Sequence, residues 1–118
     1  MTTDSRDELI DAYFEALDTT DPSVARPALA DSFVYESLAG DLHGHEGLHE
    51  YITELRSVTD STHDLDRRVH GESVSVVEGV VSGTGPDGRP AEAAFCDVFE
   101  FDADEGAITR IAVYTNDA

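Results

Sequence analysis

"RPAEAAFCDVFEFD", Arg89–Asp102, alternates its side chains between two faces and reads as a strand. Ala93, Phe95, Asp97, Phe99 and Phe101 share one face, and Glu92, Ala94, Cys96, Val98 and Glu100 share the other. The second half of the chain holds three further stretches of this kind: "HDLDRRVHG" (63–71), "ESVSVVEGVVSGTG" (72–85) and "AITRIAVYT" (107–115). The turn signals "HGE", "GPDG" and "DADEG" separate them. Working outward from this run, the first half is helical in period. Helices followed by successive strands predict an α+β domain, with helices packed on one face of a curved antiparallel sheet.

In the first half, Leu9, Ile10, Tyr13, Phe14 and Leu17 recur at helical spacing and predict an amphipathic helix from Asp7 to about Leu17. "TTDP" ends it, Asp21 caps a second short helix with Pro22 at its first position, and Pro27 predicts a kink or restart. "SFVYESL" (32–38) reads as a strand with Val34, Glu36 and Leu38 on one face and Phe33, Tyr35 and Ser37 on the other. A glycine-rich loop leads to a third helix from about Glu46 to Val58, with Leu48, Tyr51, Ile52, Leu55 and Val58 as its apolar positions. No repeat or linker interrupts the order, so residues 1–118 are expected to form one domain.

Composition narrows the partners. The 118 residues carry 26 acidic and 7 basic side chains, a formal charge of -19, and every basic residue is arginine. A chain that is 40% hydrophobic can still build a core, so disorder is not the expectation. A folded domain with a heavily carboxylated surface repels itself unless salt screens it, which points to a salt-loving cytoplasm. With no basic stripe to displace counterions from phosphates, nucleic acid is not an expected partner, and neither is an anionic membrane. The acidic start "MTTDSRDELID" has no apolar run, so neither a secretory signal nor a membrane span is expected, and the expected location is cytoplasmic. A single cysteine, Cys96, excludes an intrachain disulfide.

"HEGLH", His45–His49, has the H-E-x-x-H form of a zinc protease helix. Helical geometry turns His45 and His49 sideways or outwards from the apolar stripe, leaves Glu46 to solvent, and sets Arg56 on the same flank. Gly47 also weakens the helix that would carry the ligands. A solvated helix start is the expectation, with no metal and no cofactor.

Asp97 is the stronger anomaly. A carboxyl among phenylalanines is desolvated, its pKa rises, and it becomes a proton donor near neutral pH, unless an arginine pairs with it. Tyr13 stands in the apolar stripe of the first helix, as a pocket hydroxyl or a satisfied core tyrosine. Glu36 lies between Val34 and Leu38 on an expected inner face; it faces outwards if Phe33 and Tyr35 are inside.

"AYFEALDTTDPSVARPALADSFVYES", "GHEGLHEYI" and "FCDVFEFDADEGAITRIAVY" together resemble the nuclear-transport-factor-2-like superfamily, in its SnoaL-like and ketosteroid-isomerase-like branch. The resemblance covers nearly the whole chain and implies a cone-shaped sheet around an internal apolar pocket, with homodimers common through the outer sheet face. Against the ketosteroid isomerases, Tyr13 falls on the oxyanion-hole tyrosine, Asp97 on the protonated aspartate beside it, and Glu36 on the aspartate base. In the ketosteroid isomerases an apolar site keeps that aspartic acid neutral. The resemblance therefore implies an isomerase or cyclase that enolises a small apolar carbonyl compound, with Glu36 as base; that mechanism falls if Glu36 points to the outer face. The alternative is a ligand carrier or dimerisation module in which Asp97 and Tyr13 bond only to each other.

Two departures bear on activity. The epoxide-hydrolase branch has an arginine two residues before this aspartate, where the chain has Phe95, which argues against that activity. The dehydratase branch adds pocket histidines, for which His63 and His70 are candidates. "GHEGL" fills the family's loop pattern into the third helix, so His49 is an extra letter there.

Overall fold

The computed structural model describes residues 3–104 and 106–116. The first helix, α1 (Thr3–Thr19), buries Ile10, Tyr13, Phe14, Ala16 and Leu17 along one stripe. Each large apolar side chain withdrawn from water there stabilises the fold by about 1.5–3 kcal/mol. The helix ends in a left-handed turn at Thr20 (φ 55), with Thr20 N–H donating to the Leu17 carbonyl and Asp21 N–H to that of Ala16. This Schellman closure satisfies the last carbonyls of the helix.

Two 3-10 turns follow. In the first, Pro22–Val24, the Asp21 carboxylate accepts from the Ser23 N–H; the second, Arg26–Ala28, restarts the chain at Pro27. Strand β1 (Leu29–Ser37) then turns through Leu38 and Ala39 into β2 (Gly40–His43), a short strand where the sequence suggested only a loop. Helix α2 (Gly44–Glu50) continues into a π-helical turn, Tyr51–Leu55, closed by Arg56 N–H donating to the Tyr51 carbonyl. Regular helix thus ends well short of the expected Val58, and Arg56 already has extended backbone. Gly47 is essential to this docking: a Cβ there would stand 2.9 Å from Leu42 backbone and side-chain atoms.

The four remaining strands are β3 (Thr59–His70), β4 (Val74–Thr84), β5 (Pro90–Phe101) and β6 (Ile108–Asn116). The sheet order is β2-β1-β6-β5-β4-β3. All neighbours are antiparallel except β1 and β6, which run parallel, so the sheet is mixed where a fully antiparallel one was expected. Bulges interrupt β3, β1 and the β5–β6 register, and the sheet curves without closing. Helix α1 packs on β3 and α2 on β1, so one sheet face is covered and the core lies between. The outcome is the α+β architecture anticipated from the order of helical and alternating segments.

Candidate functional site

Strand β5 has the expected parity: Phe95, Asp97 and Phe99 point inward, and Asp97 is only 3% exposed. Its backbone lies between Val77 of β4 and Val113 of β6, so no charge enters from either neighbouring strand position. Burial alone pushes the carboxyl from its ordinary 3.8 up to about 8. Its Oδ1 is buried and has no hydrogen-bond partner among the described residues. At neutral pH this group is therefore mainly a neutral acid with an O–H to donate.

Helix α1 brings Tyr13 to the same cavity, and β1 brings Tyr35. The two hydroxyls are 2.6 Å apart and both rings are essentially buried. Burial, each other's proximity and Asp97 hold the Tyr13 hydroxyl well above its usual range, so both phenols stay protonated. Tyr51, which lines the same cavity, hydrogen-bonds to Tyr35 in turn, so the three hydroxyls form a chain in which one terminal O–H is left to donate onward. A carrier in which Tyr13 and Asp97 bond to each other is not the arrangement present, because Tyr13 bonds to Tyr35.

Glu36 lies on the other side of the sheet. Phe33 and Tyr35 are buried in the second half of β1, so Glu36 falls on the outer face by strand alternation. The Arg110 guanidinium donates to both of its carboxylate oxygens, at 2.6 and 2.9 Å, and also to Glu100 at 2.6 Å. That clamp lowers the Glu36 pKa below the usual carboxylate range. The inner-face expectation for Glu36 is thus corrected: it lines no wall of the Asp97 cavity and its lone pairs are already engaged.

A second titratable group reaches the cavity from β3. His63 Nδ1 lies 2.5 Å from Asp18 Oδ1, and the His63 backbone N–H donates to Asp18 Oδ2 at 3.0 Å. Desolvation outweighs the pull of Asp18 and lowers the imidazole pKa, so the pair is a neutral histidine donating Nδ1–H to a carboxylate. That tautomer leaves Nε2 as an acceptor on a ring that lines the cavity. Arg56 fixes the base of this arrangement, donating to the Leu17 carbonyl at 2.8 Å and to Ser61 Oγ at 2.7 Å; Ser61 donates in turn to Asp18.

His70 is elsewhere. Its Nδ1 is 2.7 Å from Ser75 Oγ and its Nε2 3.0 Å from Asp7, a serine–histidine–aspartate chain in outline. Ser75 is wholly buried and Arg6 donates to its hydroxyl at 3.3 Å, so no electrophile can reach it. The cluster ties the start of α1 to the β3–β4 turn, where Arg6 also donates to the carbonyls of Gly71 and Glu72.

His45 and His49 line a separate cleft of about 380 Å³ with Asp21, Arg26 and Glu46. It is larger than the cavity at Asp97, yet the chemistry-bearing groups do not converge in it. His45 Nε2 lies 3.7 Å from Asp31, and its Nδ1 is buried with no hydrogen-bond partner among the described residues, so this imidazole is less solvated than expected of a helix start. Among the described residues no three histidine, cysteine, aspartate or glutamate side chains gather in a way that could hold a metal ion.

Asp18, Arg56 and Tyr35 were missed as site residues in the sequence. Tyr35 had a signal, since Phe33 and Tyr35 are the bulkier face of β1. Asp18 had none, because its partner lies 45 residues away.

The model of the SnoaL-like domain family matches residues 10–111. Among solved structures, a nuclear-transport-factor-2-like protein from Anabaena variabilis ATCC 29413 is 20% identical, with a TM-score of 0.84 over 99% of this chain and 90% of that one. A protein with a ketosteroid-isomerase-like fold from Catenulispora acidiphila DSM 44928, in complex with trimethylamine, is 14% identical, with a TM-score of 0.78 over 91% and 84%. An LEH-like epoxide hydrolase of M. tuberculosis is 21% identical, with a TM-score of 0.74 over 92% and 80%. At these identities the likeness is one of fold. No curated protein matches by sequence.

Proposed function

The chain belongs to the SnoaL-like domain family, and we propose that it binds a small carbonyl compound and enolises it, as an isomerase or cyclase. The observation that carries this reading is a desolvated, unpartnered acid and an aspartate-oriented imidazole lining one cavity. His63 takes the role first expected of Glu36. Its Nε2 removes a proton beside the carbonyl, while Asp97 and the terminal O–H of the Tyr13–Tyr35–Tyr51 chain donate to the developing enolate oxygen. Asp18 stabilises the imidazolium formed in that step.

The reaction needs His63 neutral and Asp97 protonated. Activity should therefore rise through a pH below the ordinary histidine value and fall again near 8, giving a bell. The likeness to the M. tuberculosis epoxide hydrolase supports catalysis on this fold, and the Catenulispora complex supports occupancy by a small molecule. Phe95, two residues before Asp97, continues to argue against epoxide opening.

Deuterium exchange beside the carbonyl of a short β,γ-unsaturated methyl ketone, followed by NMR, tests the proposal. His63→Gln and Asp97→Leu should each cost at least ~100-fold, and Glu36→Gln should change the rate by less than about threefold. Exchange no faster than in buffer, or lost in Glu36→Gln and kept in His63→Gln, overturns it. The outer sheet face, where Tyr114 is 56% exposed, supports a homodimer as well.

A further inference from the structure

The Asp97 cavity is small, about 70 Å³. That is far below the roughly 300–1,000 Å³ of sites that enclose a drug-sized ligand. A second chamber of about 250 Å³ adjoins it. The two share five walls, Leu38, Ser57, Val58, Val81 and Thr115, which form a collar between them. Beyond the collar the outer chamber adds Pro86, Ala91 and Ala93, with Glu92 as its charged wall. Polar groups thus gather at the inner end and methyl or methylene groups at the outer one.

We propose that this two-chamber passage selects an unbranched ligand: a small carbonyl head seated against Asp97 and Tyr13, and an alkyl tail threaded through the collar to lie on Val81, Ala91 and Ala93. The proposal rests on the carbonyl-binding reading above and adds the substrate's shape. A fused-ring compound cannot place its carbonyl at Asp97, because the inner chamber admits only a few heavy atoms. Glu92 and the -19 net charge disfavour a tail that ends in an anion.

Sequestering one methylene from water strengthens binding about fourfold. In a series from 2-butanone to 2-nonanone, affinity should climb by that factor per carbon until the outer chamber is full, and a fused-ring ketone should bind no better than 2-butanone. Ala93→Phe fills the outer chamber, so the ratio of 2-nonanone to 2-butanone affinity should fall toward one. Ala91→Phe serves the same purpose if the first variant does not fold. Titration by saturation-transfer NMR, with circular dichroism as the folding check, gives these numbers. If 2-butanone binds but affinity stays flat along the series, or both variants keep the gradient, the two-chamber inference fails and the carbonyl site stands. If no ketone binds, or Asp97→Leu binds all of them as well as the parent chain, the carbonyl site fails and the tail chamber with it.

Discussion

Asp97→Asn separates a neutral buried acid from an ionised one. The carboxyl is 3% exposed, and desolvation is the cause of its rise from 3.8 to about 8. At about 1.36 kcal/mol for each pH unit between those two values, the ionised form would cost the fold an upper limit on the order of 5 kcal/mol. The sign follows from proton counts. Between about pH 4 and pH 8 the folded chain holds a proton that the unfolded chain has released. The contribution of Asp97 to stability is therefore fully present below about pH 4, is lost progressively as pH rises through that window, and stays constant above it.

Asparagine keeps the shape and cannot titrate, so the stability of the parent chain minus that of the variant isolates this one group. Any fixed effect of the buried amide cancels in the pH dependence. Between pH 5.5 and 7.5 the difference should move by about 2–3 kcal/mol to the disadvantage of the parent chain. Urea unfolding in molar salt at five pH values, with a common m-value, measures it. A difference that stays constant with pH, or that moves in favour of the parent chain, would refute a neutral Asp97 and remove the acid from the proposed reaction.

Other consequences are quicker to check. The -19 charge predicts that the thermal midpoint rises by at least ~5 °C between 0.05 and 2 M potassium chloride, since the screening length falls below about 3 Å above 1 M salt; a flat calorimetric midpoint would contradict it. Thr20→Gly should stabilise by about 1 kcal/mol in urea titrations, because a β-branched residue is held at φ 55 where glycine has no Cβ to strain. Gly47→Ala should destabilise by about 1–3 kcal/mol, given the 2.9 Å approach to Leu42, and unchanged stability would mean α2 can shift away freely. The proposed homodimer predicts that the parent chain sediments as a dimer and that Tyr114→Glu, on the outer sheet face, sediments as a monomer; a parent chain that sediments as a monomer would contradict it.

What the sequence displayed was periodicity, and periodicity carried the elements. The 3.6-residue stripe of Ile10, Tyr13, Phe14 and Leu17 became the buried face of α1, and the two-residue alternation around Asp97 became β5. Tyr13 and Asp97 were legible as candidate pocket groups for the same reason: each breaks the polarity of an otherwise apolar face. The parallel pairing of β1 with β6 was not legible, since alternation is the same in parallel and antiparallel neighbours. The π-helical turn was hidden because Leu48, Tyr51 and Ile52 fit a regular helix; the bond from Arg56 N–H to the Tyr51 carbonyl shows the extra residue.

Glu36 and His63 show why a site can be half read. On a strand, inside and outside differ by one residue, so assigning Glu36 was a choice between two parities of nearly equal apolar content. Phe33 and Tyr35 bury more surface than Val34 and Leu38, and the larger gain decides the parity. Arg110 then makes the outcome chemically consistent, because an exposed carboxylate on the outer face meets a guanidinium 74 residues later in the chain. With the glutamate outside, the cavity would hold donors and no base, were it not that α1 ends in Asp18 opposite His63 on β3. Neither residue breaks a hydrophobic pattern, and His63 acquires its protonation state from its burial against Phe14 and Phe95 and from its bond to Asp18. Acidity set by burial can be read from one strand; a tautomer set by a partner requires the fold that brings the partner in.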